Sequence, residues 1–82
     1  MKQTIAEFKK NSKGEKVRIA LSEYNGHDLV DIRIFFEPKE GGELKPTKKG
    51  ICISVHKLAD LINGLKLAGR TARDNGIFDE SN

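Results

Sequence analysis

Tryptophan is absent from this 82-residue chain, cysteine and methionine occur once each, proline twice, and aromatic residues amount to 6% of the total. The lone Cys52 has no partner for an internal disulfide, and no Cys/His group has the spacing of a zinc site, so neither kind of staple is expected. Cys52 reads instead as a small hydrophobe with no flanking cation to stabilise a thiolate. No stretch approaches the roughly 18 apolar residues of a membrane span. The opening "MKQTIAEFKK" carries Glu7 where a signal peptide needs an apolar run. The expectation is a soluble, intracellular protein of the cytoplasm or nucleoid, with no membrane partner.

Catalytic material is also scarce. His27 falls in a hairpin tip and His56 at the start of a helix, far apart in sequence and without the carboxylate or histidine spacing of a metal set. Asp28 and Asp31 differ by three, which sends them to opposite faces of a strand and rules out a carboxylate pair. "EGGE" lacks the lysine and hydroxyl of a phosphate-binding loop. No enzyme activity, catalytic residue, metal or cofactor is expected.

What is present is a small domain with clustered charge. A chain of this length buries only about 60% of the surface its unfolded form exposes, so its core is thin and a dimer is the natural supplement. The formal charge is +3, unevenly spread: five basic residues lie between Lys9 and Arg18 against Glu15 alone, and Lys45, Lys48 and Lys49 have no acid among them. The last nine residues carry Asp74, Asp79 and Glu80 with no basic partner. Clustered cations fit a polyanion, because each phosphate neutralised releases condensed counterions.

Period-two alternation marks strands. In "KVRIALSEY" (16–24) Val17, Ile19 and Leu21 alternate with Lys16, Arg18, Ala20 and Ser22, so the first three are read as the buried face. Asn25-Gly26 follows, the pair that tolerates the positive φ of a type I′ hairpin turn. "LVDIRIFFE" (29–37) has Val30, Ile32, Ile34 and Phe36 on one side and Leu29, Asp31, Arg33 and Phe35 on the other. With apolar groups on both sides it belongs centrally, under a helix, a second subunit or a ligand. A third extended segment runs from about Leu44 to Ile53, with Pro46 suited to an edge or a bulge.

Ser54 can cap a helix in which Leu58, Leu61, Ile62, Leu65 and Ala68 form one apolar stripe, from about Val55 to Ala68 with Gly69 as its stop. Gly64 within it suggests close approach by a neighbouring helix or subunit. The chain therefore divides into an N-terminal arm, 1–15, offering a short first strand through Ile5 and Phe8; a core, 16–68; and a flexible acidic tail, 69–82.

Binding single-stranded nucleic acid needs a cationic groove and aromatic planes. Lys16, Arg18, Arg33, Lys45, Lys48 and Lys49 are the candidate phosphate contacts. Tyr24 closes the first long strand with a hydroxyl suited to water. Phe36 closes the second, where core packing and base stacking both fit it. These groups are expected along one rim of a bent sheet.

The blocks "VRIALSEYNGHDLVDIRIFF" and "GELKPTKKGICIS", followed by an amphipathic helix and preceded by Lys10, Asn11 and Ser12, strongly resemble the transcriptional positive cofactor four family, particularly its short bacterial members, over residues 8 to 68. The resemblance implies an α+β fold: a curved four-stranded antiparallel sheet followed by one C-terminal amphipathic helix, paired into a homodimer that binds single-stranded or unpaired DNA with little sequence preference. It assigns stacking to Tyr24 and Phe36, phosphate contacts to Arg33, Lys45, Lys48 and Lys49, and dimer formation to the helix, here Leu58, Leu61, Ile62, Gly64 and Leu65. Ser22, Asn25 and His27 stand where eukaryotic members are basic, Phe36 where they have tryptophan, and their serine-rich acidic segment is missing. These departures point to a weaker contact surface and leave the DNA-binding core without the coactivator segment. The same physics serves RNA, and a basic face also fits an acidic surface on RNA polymerase or another transcription or replication protein. The tail around Phe78 lies beyond the resemblance, as an unstructured end or a short recruitment peptide.

Overall fold

The two longest alternating runs of the chain pair with each other over their whole length. In the structure, a computed structural model that describes residues 2–78, strand β2 (Glu15–Tyr24) and strand β3 (His27–Phe36) form an antiparallel ladder from Glu15↔Phe36 to Tyr24↔His27. Asn25 at φ 52° and Gly26 at φ 78° make the connection, as a type I′ turn requires. Strands β1 (Lys2–Lys9) and β4 (Lys45–Ser54) add on either side, giving one antiparallel sheet in the order β1-β2-β3-β4. A 3-10 turn, Val55–Lys57, leads into the single helix α1, Leu58–Asp74. The Ser54 hydroxyl caps the turn, accepting from the His56 amide at 3.1 Å. The expected fold class, an antiparallel four-stranded sheet followed by one helix, is the one observed.

Both ends extend further than the sequence pattern indicates. Strand β1 is eight residues long rather than a short addition to an arm. A register shift between Thr4 and Ala6 breaks its alternation, and all of it is exposed, so no buried face marks it. The helix runs through Gly69 to Asp74, which corrects both the stop at Gly69 and the flexible tail beginning there. Gly76, at φ 74°, is the terminator. The Ile77 amide donates to the Ala72 carbonyl at 2.9 Å and the Gly76 amide to the Arg73 carbonyl at 3.0 Å, a Schellman cap that a left-handed glycine makes possible. A glycine inside a helix costs only about 1 kcal/mol, so Gly69 lacks the means to stop one without such a cap. Asp79 and Glu80, part of the expected acidic tail, lie outside the described residues.

Cross-strand partners share a side of the sheet, and this defines two unlike faces. One carries Val17, Ile19, Leu21, Val30, Ile32, Ile34, Phe36, Ile51 and Ile53; the other carries Arg18, Ala20, Asp31, Arg33 and Phe35. Among the described residues the buried hydrophobic core comprises Ala20, Val30 and Phe35, with Pro38 also buried. Ala20 thus comes from the side read as polar, where the Arg18 guanidinium lies 4.0 Å from the centre of the Phe35 ring. Leu21, expected inside, is 38% exposed. Cys52 is likewise exposed, on edge strand β4, rather than packed.

The shortfall has a size. The accessible surface of 6714 Å² exceeds the roughly 4,900 Å² of a compact monomer of 9.1 kDa by about 1,800 Å². The radius of gyration, 15.0 Å, compares with about 12 Å for a compact chain of this length. Helix α1 has no buried residue. No helix among the described residues is long and apolar enough to cross a membrane.

Gly50 fixes the approach of β4 to β3. It adopts φ 150°, and a Cβ there would overlap the Ile32 carbonyl oxygen and lie 2.8 Å from the Arg33 Cα. Gly50→Ala is expected to lower stability by about 1 to 3 kcal/mol, read as a reduced urea midpoint at fixed protein concentration; an unchanged midpoint would contradict this role.

Candidate nucleic-acid interface

Between two paired positions, strand β4 holds more residues than strand β3. Arg33 pairs with Gly50 and Phe35 with Pro46, so Ile34 alone stands against Thr47, Lys48 and Lys49. The surplus must bulge from the ladder, as the proline suggested. Thr47 stitches the bulge: its hydroxyl donates to the Ile34 carbonyl at 2.8 Å and accepts from the Lys49 amide at 3.1 Å. Arg33 Nη1 donates to the Thr47 carbonyl at 3.1 Å. Arg33 Nε in turn lies 3.1 and 3.3 Å from the two Asp31 oxygens. Asp31 is 7% exposed and also receives Lys2 Nζ at 3.3 Å.

The candidate cations separate into two groups. Lys16 and Arg18 both meet Glu7, at 3.7 and 2.8 Å, and Arg33 is paired with Asp31. Lys45, Lys48 and Lys49 are exposed and make no ion pair among the described residues. The register brings the two basic stretches of the sequence together: Lys9, Lys16, Phe35 and Pro46 form one row across all four strands, and Lys45 pairs with Phe36 beside it. Phe36 is 38% exposed at this end.

Tyr24 is not at this end. It is 69% exposed and paired with His27 at the opposite end of the β2–β3 ladder, about 30 Å away at ~3.3 Å per residue. Tyr24 and Phe36 also project from opposite sides of that ladder, so the two rings do not share one local rim. In the helix, Leu58 and Leu61 are half-buried and Gly64 exposed, while Ile62 and Leu65 are 42% and 62% exposed. A Cβ at Gly64 would meet nothing within 4 Å. His27 and His56 are exposed, and no metal-holding group of His, Cys, Asp and Glu occurs among the described residues.

Sequence reasoning passed over Thr47, Asp31 and Gly50 as parts of this site. Their signals were present: a hydroxyl between proline and paired lysines, an acid inside an apolar strand, and a glycine where the strand becomes regular. It also passed over Asn11, whose side-chain oxygen accepts from the Lys13 amide at 3.0 Å and so shapes the β1–β2 turn.

The family profile described as Transcriptional Coactivator p15 (PC4) matches residues 11–64. A crystal structure of a PC4 homolog from Burkholderia pseudomallei, in an orthorhombic form, is 38% identical, with a TM-score of 0.74 over 83% of this chain and 89% of that one. Its tetragonal form gives 35% identity and a TM-score of 0.72, over 83% and 97%. A bacteriophage T5 homolog of the eukaryotic coactivator PC4, implicated in recombination-dependent DNA replication, has the same fold at 24% identity, with a TM-score of 0.60 over 93% and 82%. No curated protein matches the chain.

At the same end of the sheet, Asn11 Nδ2 donates to Glu15 at 2.7 Å, and this bond, with that of Lys10, holds the Glu15 carboxyl below the ordinary glutamate range. A depressed carboxyl stabilises the fold above its unfolded pKa, and that contribution is lost as pH falls through the folded value. In an NMR titration, Asn11→Ala should raise the Glu15 midpoint; an unchanged midpoint would exclude the effect.

Proposed function

The chain belongs to the transcriptional coactivator p15 (PC4) family of DNA-binding proteins, and from that premise we propose that it is a homodimeric, non-enzymatic binder of single-stranded or unpaired DNA with low sequence specificity. The observation that carries this reading is the β4 bulge, which presents Lys48 and Lys49 to solvent, unpaired, next to Lys45 and a half-exposed Phe36. Ammonium groups supply the phosphate contacts and the ring a stacking plane, which is what an unpaired strand needs and a base-paired one cannot use fully. Lys16 and Arg18 border the same end and strengthen its field while shared with Glu7. Tyr24 offers a second, separate stacking plane. The right-handed twist of a long ladder turns its far end, so one flexible strand can follow the hairpin and meet both rings.

The two chains of the proposed dimer pair through Leu58, Leu61, Ile62, Gly64 and Leu65; the exposure of Ile62 and Leu65 and the open space at Gly64 among the described residues support this reading. The processes served are transcription or DNA replication, with a protein of that machinery as a further partner, acting inside the cell at the nucleoid.

Competition in fluorescence anisotropy tests the reading: unlabelled single strands should displace a labelled oligonucleotide better than a duplex of equal length, whereas equal or better displacement by duplex would refute it. Lys48→Ala and Lys49→Ala should each reduce the slope of log K against log salt by about 0.7. Phe36→Ala and Tyr24→Ala should each cost about 1 to 3 kcal/mol of binding. Being distant, these two losses should add within about 0.5 kcal/mol; strong non-additivity would mean that the rings hold one base between them.

A further inference from the structure

We propose that Arg33 is a positioning residue rather than a phosphate ligand: it ties the buried Asp31 to the Thr47 carbonyl and so holds the Lys48–Lys49 bulge in its outward form. The inference rests on the reading that those lysines contact nucleic-acid phosphates. Three observations converge on it. Asp31 is 7% exposed, and its carboxylate is neutralised by Arg33 Nε on one side and Lys2 Nζ on the other. Turning Arg33 outward to a phosphate would leave that buried charge short of its principal partner, at a cost larger than a surface contact returns. The Arg33 side chain is also only 25% exposed.

The third observation is the bulge itself. Its three residues face a single residue of β3, so ladder hydrogen bonds cannot set their conformation, and two side-chain links do so instead. Arg33 Nη1 holds the Thr47 carbonyl, and the Thr47 hydroxyl bridges the Ile34 carbonyl to the Lys49 amide. A guanidinium can serve two partners at fixed angles from one plane, whereas a lysine ammonium is a point charge without that fork. Charge alone therefore does not replace Arg33.

The test compares Arg33→Lys with Arg33→Gln in binding to a labelled single-stranded oligonucleotide at fixed salt. Both should weaken binding about tenfold or more, and to a similar extent. Near-parent affinity for Arg33→Lys, with loss confined to Arg33→Gln, would make Arg33 a phosphate contact and overturn the proposal. In a Lys48→Ala, Lys49→Ala background, Arg33→Lys should have little further effect, because it acts through those lysines; the same fold-loss there would again mean direct contact. Thr47→Val should mimic Arg33→Lys and Thr47→Ser should restore binding, which keeps the proposal testable if the Arg33 variants fold poorly. Hydrogen exchange needs no nucleic acid: the Lys49 amide should lose protection in Arg33→Lys while β2–β3 amides keep theirs. If the parent protein ignores single strands, the functional reading fails, and the exchange result still decides whether Arg33 holds the bulge.

Discussion

An apolar sheet face that the described residues leave largely open, with only Val30 fully buried on it, is the constraint from which the rest of this structure follows. Val17, Ile19, Leu21, Ile32, Ile34, Ile51 and Ile53 share that side. The one helix, which could have closed over it, buries none of its residues. The excess surface is about 1,800 Å², more than the ~800 Å² that each partner contributes to a standard interface. In the proposed homodimer a second copy, bringing a second open sheet and a second leucine stripe, would be the occupant of matching chemistry.

The charged groups occupy the other face and the sheet margins. The ionic side is internally balanced where it must be rigid: Glu7 serves Lys16 and Arg18, and Asp31 serves Lys2 and Arg33. It is unbalanced where the backbone leaves the ladder, at Lys45, Lys48 and Lys49. Pro46 removes a ladder donor and Gly50 admits the close return of β4 to β3, so the irregularity has fixed boundaries. The sequence places the lysines in an extended segment; in space Lys48 and Lys49 lie in a bulge on an edge strand, held by Thr47 and Arg33.

The parts legible in the sequence were those set by local chemistry. Asn25-Gly26 located the hairpin, alternation located β2 and β3, Pro46 pointed to an edge or bulge, and Ser54 marked the approach to the helix. What stayed hidden depended on partners distant in the chain. Strand β1 exists because β2 offers it an edge, not because its own pattern demands it. Gly69 and Gly76 look alike as helix stops, and only the backbone bonds of Ala72 and Arg73 distinguish them. Counting cations could not reveal that Arg18 is already committed to Glu7 across the sheet and Arg33 to Asp31 on its own strand, nor that Tyr24 and Phe36, each ending a strand, stand at opposite ends of one hairpin.

Sedimentation equilibrium across a wide concentration range tests the central claim most directly, because the proposal has a second chain cover the open apolar face and the helix stripe. The account predicts a species of twice the 9.1 kDa chain mass, with Leu65→Asp shifting it toward single chains that lose structure as they dissociate. A parent protein that remains a single, cooperatively folded chain at every concentration would contradict it.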